Sequence, residues 1–342
     1  MNRLVLFNNA TKKQFLNKRA AEVKFGEHVM MLNDISNIYE SINHLDVKYV
    51  IIGLPEDVGV FANLGNTGTH KAFNATLKSL LNIQSNVFTQ ASKVLILGYL
   101  DFESELKKLA KLDRSKKKDI AKARTLVAEI DKRVSQLVYT IVKAGKIPII
   151  IGGGHNNAYG NIKGTSLALN RSINAVNFDA HTDYRKEEGR HSGNGFSYAT
   201  SEGFLNKYFV FGLHENYTSD QIFDTMNNND NIAYNTYEAI AVREELEFST
   251  EIKRAKTHVC DDFFGIELDC DAIKNITSSA MSPTGFSVAE ARRFIHAFAT
   301  NPKVAYLHIC EAAPTSKNES QIGKLITSFI TDFIKAHEKA AD

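Results

Sequence analysis

The sequence predicts an α/β fold built on a mostly parallel sheet of about eight strands, with helices on both faces. Three observations carry this. Short apolar runs recur along the chain, most of them are continuous rather than alternating, and helical patterns separate several of them. A continuous run suits a strand covered on both faces, whereas a half-exposed strand would alternate.

Residues 1–45 are mixed in character and carry no usable motif. The runs then follow at Tyr49–Ile52, Val94–Leu97, Ile147–Ile151, Ile173–Val176, Tyr208–Phe211, Phe263–Leu268 and Val304–Ile309, with a weaker one at Ile232–Tyr234. Between Asp113 and Gly145, apolar residues at Ile120, Val127, Ile130, Val134, Leu137, Val138 and Ile141 form a helical stripe, and Gly145 is placed to end it. The lysine-rich stretch 114–118 reads as the solvated start of that helix. Ser287 and Glu290 make a capping box ahead of a helix through Phe298. Ile322, Leu325, Ile326, Phe329, Phe333 and Ile334 give the last segment an apolar face that must dock on the core. No repeat, low-complexity linker or boundary divides the chain. It reads as one domain over residues 1–342, with 1–45 as an N-terminal extension of unassigned role.

Composition narrows the function. Hydrophobic residues make up 43% of the 342, and the net charge of +2 gives no electrostatic case for nucleic acid or an anionic membrane. The three cysteines, Cys260, Cys270 and Cys310, are far apart, which suits a reducing compartment. The opening run Met1–Phe7 is too short for a signal peptide, and no window approaches the roughly 20 apolar residues of a membrane span. The expectation is a soluble, cytoplasmic protein.

Three polar clusters sit where strand runs end. In Asp179-Ala180-His181-Thr182-Asp183 the acidic and imidazole groups lie at i, i+2 and i+4, on one face of an extended backbone. Gly152-Gly153-Gly154-His155 follows the third run, and Asp269-Cys270-Asp271 follows Leu268, with Cys270 facing the opposite way to its neighbours. Taken singly, each has a bland reading as a polar loop or surface pair. Ligands of open parallel sheets, however, bind beyond the carboxyl ends of the strands. Two imidazoles and four carboxylates gathered there match two divalent cations. Oxygen-rich ligation without thiolate suits Mn²⁺ better than zinc, although affinity order leaves Zn²⁺, Ni²⁺ and Co²⁺ open. Two such ions can ionise a bridging water and supply a hydroxide nucleophile without serine or cysteine.

The three motifs, in this order and spacing, resemble the metal-binding motifs of the ureohydrolase (arginase-like) family, with similarity from about Ile51 to Pro314. The resemblance implies a three-layer α/β sandwich, two Mn²⁺ per subunit, a homo-oligomer (trimer or hexamer) and hydrolysis of a small-molecule amidine or guanidine C–N bond by a metal-bridging hydroxide. It assigns His155 and Asp183 to one metal, His181 and Asp271 to the other, and Asp179 and Asp269 to both. Asp183 would also carry the proton to the leaving nitrogen. Glu311, in Cys310-Glu311-Ala312-Ala313-Pro314, would pair with the planar cationic head of the substrate, a structural salt bridge being its alternative.

Within the family, the glycine before His155 and the turn Gly53-Leu54-Pro55-Glu56-Asp57-Val58-Gly59-Val60 are similar to the formimidoylglutamase branch, which cleaves N-formimidoyl-L-glutamate to glutamate and formamide in histidine breakdown. The loop Arg190-His191-Ser192-Gly193-Asn194-Gly195-Phe196 keeps the serine and asparagine of arginases but has Phe196 in place of their histidine. A dicarboxylate substrate calls for cations, so Arg185 and Arg190 join Ser192 and Asn194 as candidate substrate-binding residues. Surface pairing with Glu187 and Glu188 is the competing reading for the arginines. His191 is a candidate proton shuttle, or an ordinary loop histidine. The third aspartate and proline usual after Asp271 are absent. Arginase, then agmatinase or another guanidine hydrolase, is the runner-up activity. A metal-binding protein that has lost catalysis is the alternative outside enzymes.

Overall fold

Among the described residues, nine strands hydrogen-bond into one sheet: β1 (Leu4–Leu6), β2 (Tyr49–Gly53), β3 (Val94–Leu100), β4 (Ile147–Ile151), β5 (Ile173–Phe178), β6 (Leu205–Leu213), β7 (Ile232–Thr236), β8 (Phe264–Asp269) and β9 (Val304–Cys310). Their spatial order is β1-β3-β2-β4-β9-β8-β5-β6-β7. The computed structural model describes residues 3–34 and 36–341, so Met1, Asn2, Ile35 and Asp342 lie outside it, the first two being part of the opening segment considered above. All eight expected strands are present and run parallel to one another.

The ninth, β1, comes from the stretch that gave no signal and pairs antiparallel with β3, Leu6 lying opposite Gly98. That pairing needs a glycine. Gly98 has φ +132°, and a Cβ there would lie 2.0 Å from the carbonyl oxygen of Val5. β3 carries one extra residue at this point, a bulge against β2 between Ile51 and Ile52.

Strand side chains alternate between two buried clusters. Val50, Ile52 and Ile150 point into one, and Ile51, Ile149 and Ile151 into the other. The helices Lys117–Lys143 and Asn157–Leu169 cover the first face. Ala72–Leu80, Phe248–Val259, Val288–Ala299 and Glu319–Ala341 cover the second. The result is a three-layer sandwich, as the sequence leads one to expect. The long helix begins at Lys117 and gives way to Gly145 at φ +72°. The Ser287–Glu290 capping box forms, with Ser287 Oγ accepting from the Glu290 amide. Among the described residues, no helix is long and apolar enough to cross a membrane.

Candidate metal centre

β4, β9, β8 and β5 are consecutive in the sheet and parallel, so their carboxyl ends open on one edge. Each end delivers polar side chains: His155 after β4, Glu311 after β9, Asp269 and Asp271 at and after β8, and Asp179, His181 and Asp183 after β5. The backbone is bent to do this. Gly152 and Gly153 adopt φ +87° and +72°, while Asp183 (φ 45°) and Glu311 (φ 60°) hold left-handed conformations without being glycine. Such residues persist where surrounding contacts over-determine them, and they cluster at functional sites.

The clusters converge. His155 Nδ1 lies 2.8 Å from Asp183 Oδ2, 3.1 Å from Asp269 Oδ2 and 3.2 Å from Asp179 Oδ2. These four residues offer donor atoms all within 4.8 Å of one another, a set that could hold one divalent cation. The other oxygen of Asp179 faces His181 Nδ1 at 3.5 Å, and His181, Asp269 and Asp271 line one cleft, the makings of a second position beside the first. Backbone and hydroxyl donors hold the carboxylates: the Asp271 amide donates to Asp269 Oδ1 (2.6 Å), the His181 amide to Asp179 Oδ1 (2.7 Å), and Ser279 Oγ to Asp271 Oδ2 (3.0 Å).

The electrostatics favour a divalent cation among these carboxylates. Burial, then Asp271 and Asp179, pushes the Asp269 carboxyl well above its usual range, and burial with Asp179 raises Asp183. Asp179 moves the other way: burial opposes its ionisation, but His155 and His181 outweigh it. His155 is fully buried, and among the described residues its Nδ1 has no hydrogen-bond partner despite three facing carboxylate oxygens. A buried donor atom without a partner, ringed by crowded carboxylates, is the arrangement a divalent cation satisfies.

Glu311 sits beside these groups, 2% exposed, with Oε1 accepting from the His155 amide and Oε2 without a partner among the described residues. Burial and then Asp271 raise its pKa. A cleft of about 510 Å³ leads to it, lined also by Asn63, Arg185, Ser192, Tyr217 and Ser279. At the rim, Asn63 accepts from Arg185 (2.7 Å) and donates to Ser192 Oγ (3.1 Å).

Three expected residues are engaged elsewhere. Arg190 is 6% exposed and lies away from the cleft; it is bound to Asp131 (Nε–Oδ2, 2.9 Å), Asn194 Oδ1 and the Asn156 carbonyl, so neither the substrate role nor pairing with Glu187 or Glu188 describes it. Asn194 is a loop brace: its Oδ1 accepts from Arg190 and the His191 amide, and its amide group donates to the carbonyls of Lys186 and Gly189. His191 is fully buried outside the cleft, with Nδ1 accepting from the Gly193 amide. Burial, then Arg185, Arg124 and Arg190, pushes its pKa down to about 3, so near neutral pH the ring is uncharged, and its place outside the cleft keeps it from the shuttle role. Because the unfolded chain protonates His191 near 6.5, its contribution to stability is complete above that pH and is lost as pH falls toward about 3. His191→Gln is expected to lose less urea stability than the parent between pH 7 and pH 5. Equal losses in both proteins would contradict this placement.

Some residues at the site were not anticipated. Glu56, in the early turn, is fully buried and accepts from the Val58 amide (2.7 Å), the Gly154 amide (3.1 Å) and Asn157 Nδ2 (2.6 Å), which clamps the glycine turn that presents His155. Glu267 and His308 lie behind His155. Each is a polar residue inside a strand buried on both faces, and that was the available signal.

Comparison with known proteins agrees with this architecture. A formimidoylglutamase of Chromobacterium violaceum is 33% identical over 112 residues, covering 31% of this chain and 36% of that protein. One from Streptococcus pyogenes serotype M3 is 25% identical over 291 residues, covering 82% of each. Among solved structures, Bacillus subtilis formimidoylglutamase superposes with a TM-score of 0.73 at 19% identity, over 97% of this chain and 99% of that one. Trypanosoma cruzi formiminoglutamase, solved with Mn²⁺, superposes with a TM-score of 0.68 at 20% identity, over 87% and 97%. At these identities the solved structures speak to the fold alone. The arginase family model matches residues 47–334, and the chain belongs to that family.

Proposed function

We propose that this protein is a binuclear manganese hydrolase of a linear amidine, cleaving N-formimidoyl-L-glutamate to L-glutamate and formamide. The observation that carries the reading is the convergence of His155, Asp179, His181, Asp183, Asp269 and Asp271 on one sheet edge, beside a buried carboxylate at the foot of a cleft. Relatives named formimidoylglutamase, one of them matched over 82% of its length, support the substrate. Arg185 stands at the rim as well, with Nη1 on Asn63 Oδ1 and Nη2 3.4 Å from Glu188 Oε1, the surface pairing that competes with its substrate role; exchanging that exposed partner would let it meet a substrate carboxylate. A homo-oligomer, trimer or hexamer, and a cytoplasmic location belong to the same reading.

The six donors would hold two Mn²⁺ ions, which when bound supply Lewis acidity and a hydrolytic nucleophile at neutral pH. Glu311 takes the amidinium of the substrate, and its own burial makes that partner favourable. Arg185 and Ser192 orient the carboxylate end, with Asn63 holding both in place. Water adds to the formimidoyl carbon, and the bond from that carbon to the glutamate nitrogen breaks. Asp183, at the inner wall of the cleft, accepts the proton of the attacking water and returns it to the departing nitrogen.

A substrate panel tests this. Manganese-loaded protein is expected to release glutamate and formamide from N-formimidoyl-L-glutamate and to leave arginine and agmatine unchanged. Urea from arginine, with no glutamate from the formimidoyl substrate, would transfer the assignment to arginase.

A further inference from the structure

Behind His155, on the side away from the cleft, lies a closed group of buried polar side chains that the reaction does not use. Glu267, on β8, and His308 and Tyr306, on β9, are all 0% exposed. Glu267 Oε1 accepts from the Tyr306 hydroxyl at 2.8 Å, and Oε2 lies 2.5 Å from His308 Nδ1. His308 Nε2 in turn faces the carbonyl of Gly152 at 3.3 Å, in the turn that leads to His155. The same Oε2 stands 3.5 Å from His155 Nε2, a nitrogen with no hydrogen-bond partner among the described residues. Phe196 packs edge-on against the His155 ring, with centroids 5.3 Å apart, and limits its rotation.

A neutral imidazole has one nitrogen that donates and one that accepts. His155 can give a lone pair to a cation among Asp179, Asp183 and Asp269 only through Nδ1, which places its hydrogen on Nε2. Glu267 Oε2 is the acceptor that faces that hydrogen. We infer that Glu267 is a positioning residue for the metal centre: it accepts the Nε2 hydrogen of His155 and so fixes the ring and the tautomer that turn Nδ1 toward the ion. His308 and Tyr306 fix Glu267. Partners of this kind raise the basicity of a histidine ligand and govern metal affinity. Both Glu267 oxygens already have protein partners and the Cys310 thiol faces the Leu268 carbonyl, so the group is closed to an ion of its own.

The inference rests on the two-metal reading above, and its test separates the two. Mn²⁺ is titrated into chelator-stripped full-length protein by calorimetry, and folding is checked by circular dichroism. In Glu267→Gln, which has one oxygen to serve three donors, one dissociation constant is expected to rise about 10- to 100-fold while the other stays near its parent value. His155 serves one ion only, so a general loss of packing would not select one site. Tyr306→Phe removes one donor and leaves the carboxylate, and its expected rise at the same site is about two- to tenfold. That variant decides the matter if Glu267→Gln fails to fold. Two unchanged constants in a folded variant would overturn the positioning role alone. A third ion in the parent that Glu267→Gln loses would also overturn it, by making Glu267 a ligand. Parent protein that binds no Mn²⁺ would overturn the two-metal reading as well.

Discussion

Asp179→Ala is expected to bind fewer than two Mn²⁺ ions and to lose about 10³-fold or more in kcat/KM on N-formimidoyl-L-glutamate. The two oxygens of Asp179 face different histidines, Oδ2 toward His155 Nδ1 (3.2 Å) and Oδ1 toward His181 Nδ1 (3.5 Å). On the proposed function a carboxylate placed in this way would serve both metal positions, and its loss would weaken each. A metal ion contributes several kcal/mol to transition-state stabilisation, and each ~1.4 kcal/mol is a factor of ten in rate. Asn177 Nδ2 and the His181 amide also lose their acceptor, so the turn after β5 loosens. Metal analysis beside steady-state kinetics provides the check. Retention of both ions in Asp179→Ala would remove the bridging role.

Asp131→Ala is expected to lower folding stability by about 3–5 kcal/mol without removing any group from the cleft. Asp131 and Arg190 form a pair at 3% and 6% exposure between the helix Lys117–Lys143 and the loop that carries Ser192. Burial pushes the Asp131 carboxyl up to about 6 even with Arg190 beside it, so the ionised pair is costly to bury. The expected loss therefore comes mainly from the guanidinium left behind without its partner. Glu129→Ala, which breaks an exposed pair with Lys132, supplies the contrast and is expected to change stability by roughly 0.5 kcal/mol or less. Urea unfolding at pH 7 compares them, and a loss below about 1 kcal/mol in Asp131→Ala would contradict this account of the pair.

The sheet was legible because its strands are covered on both faces and read as unbroken apolar runs; even the weaker Ile232–Tyr234 falls within β7. β1 was not. It is three residues long, only Leu4 in it is buried, and its place depends on a glycine more than ninety residues away. The candidate metal ligands stood out because each group sits within a few residues of a strand end and repeats a recognisable spacing. Arg190 and Asn194 were drawn to the substrate by nearness along the chain, whereas the partner that settles the arginine, Asp131, is 59 residues away. Glu267 and His308 were passed over as members of apolar runs. A charge inside a strand with no wet face must have a companion, and asking which one would have linked β8 to β9.

The candidate metal donors stand on or just beyond the ends of central strands, while Asn63, Arg185 and Ser192 belong to the connecting segments above them. Segments of the second kind tolerate replacement far better than the first. On the proposed function the fold would divide its labour, a stiff floor breaking the bond and an exchangeable mouth choosing the guest. Selectivity for one amidine over another can be rewritten in the upper part while the hydrolytic machinery below is left as it stands.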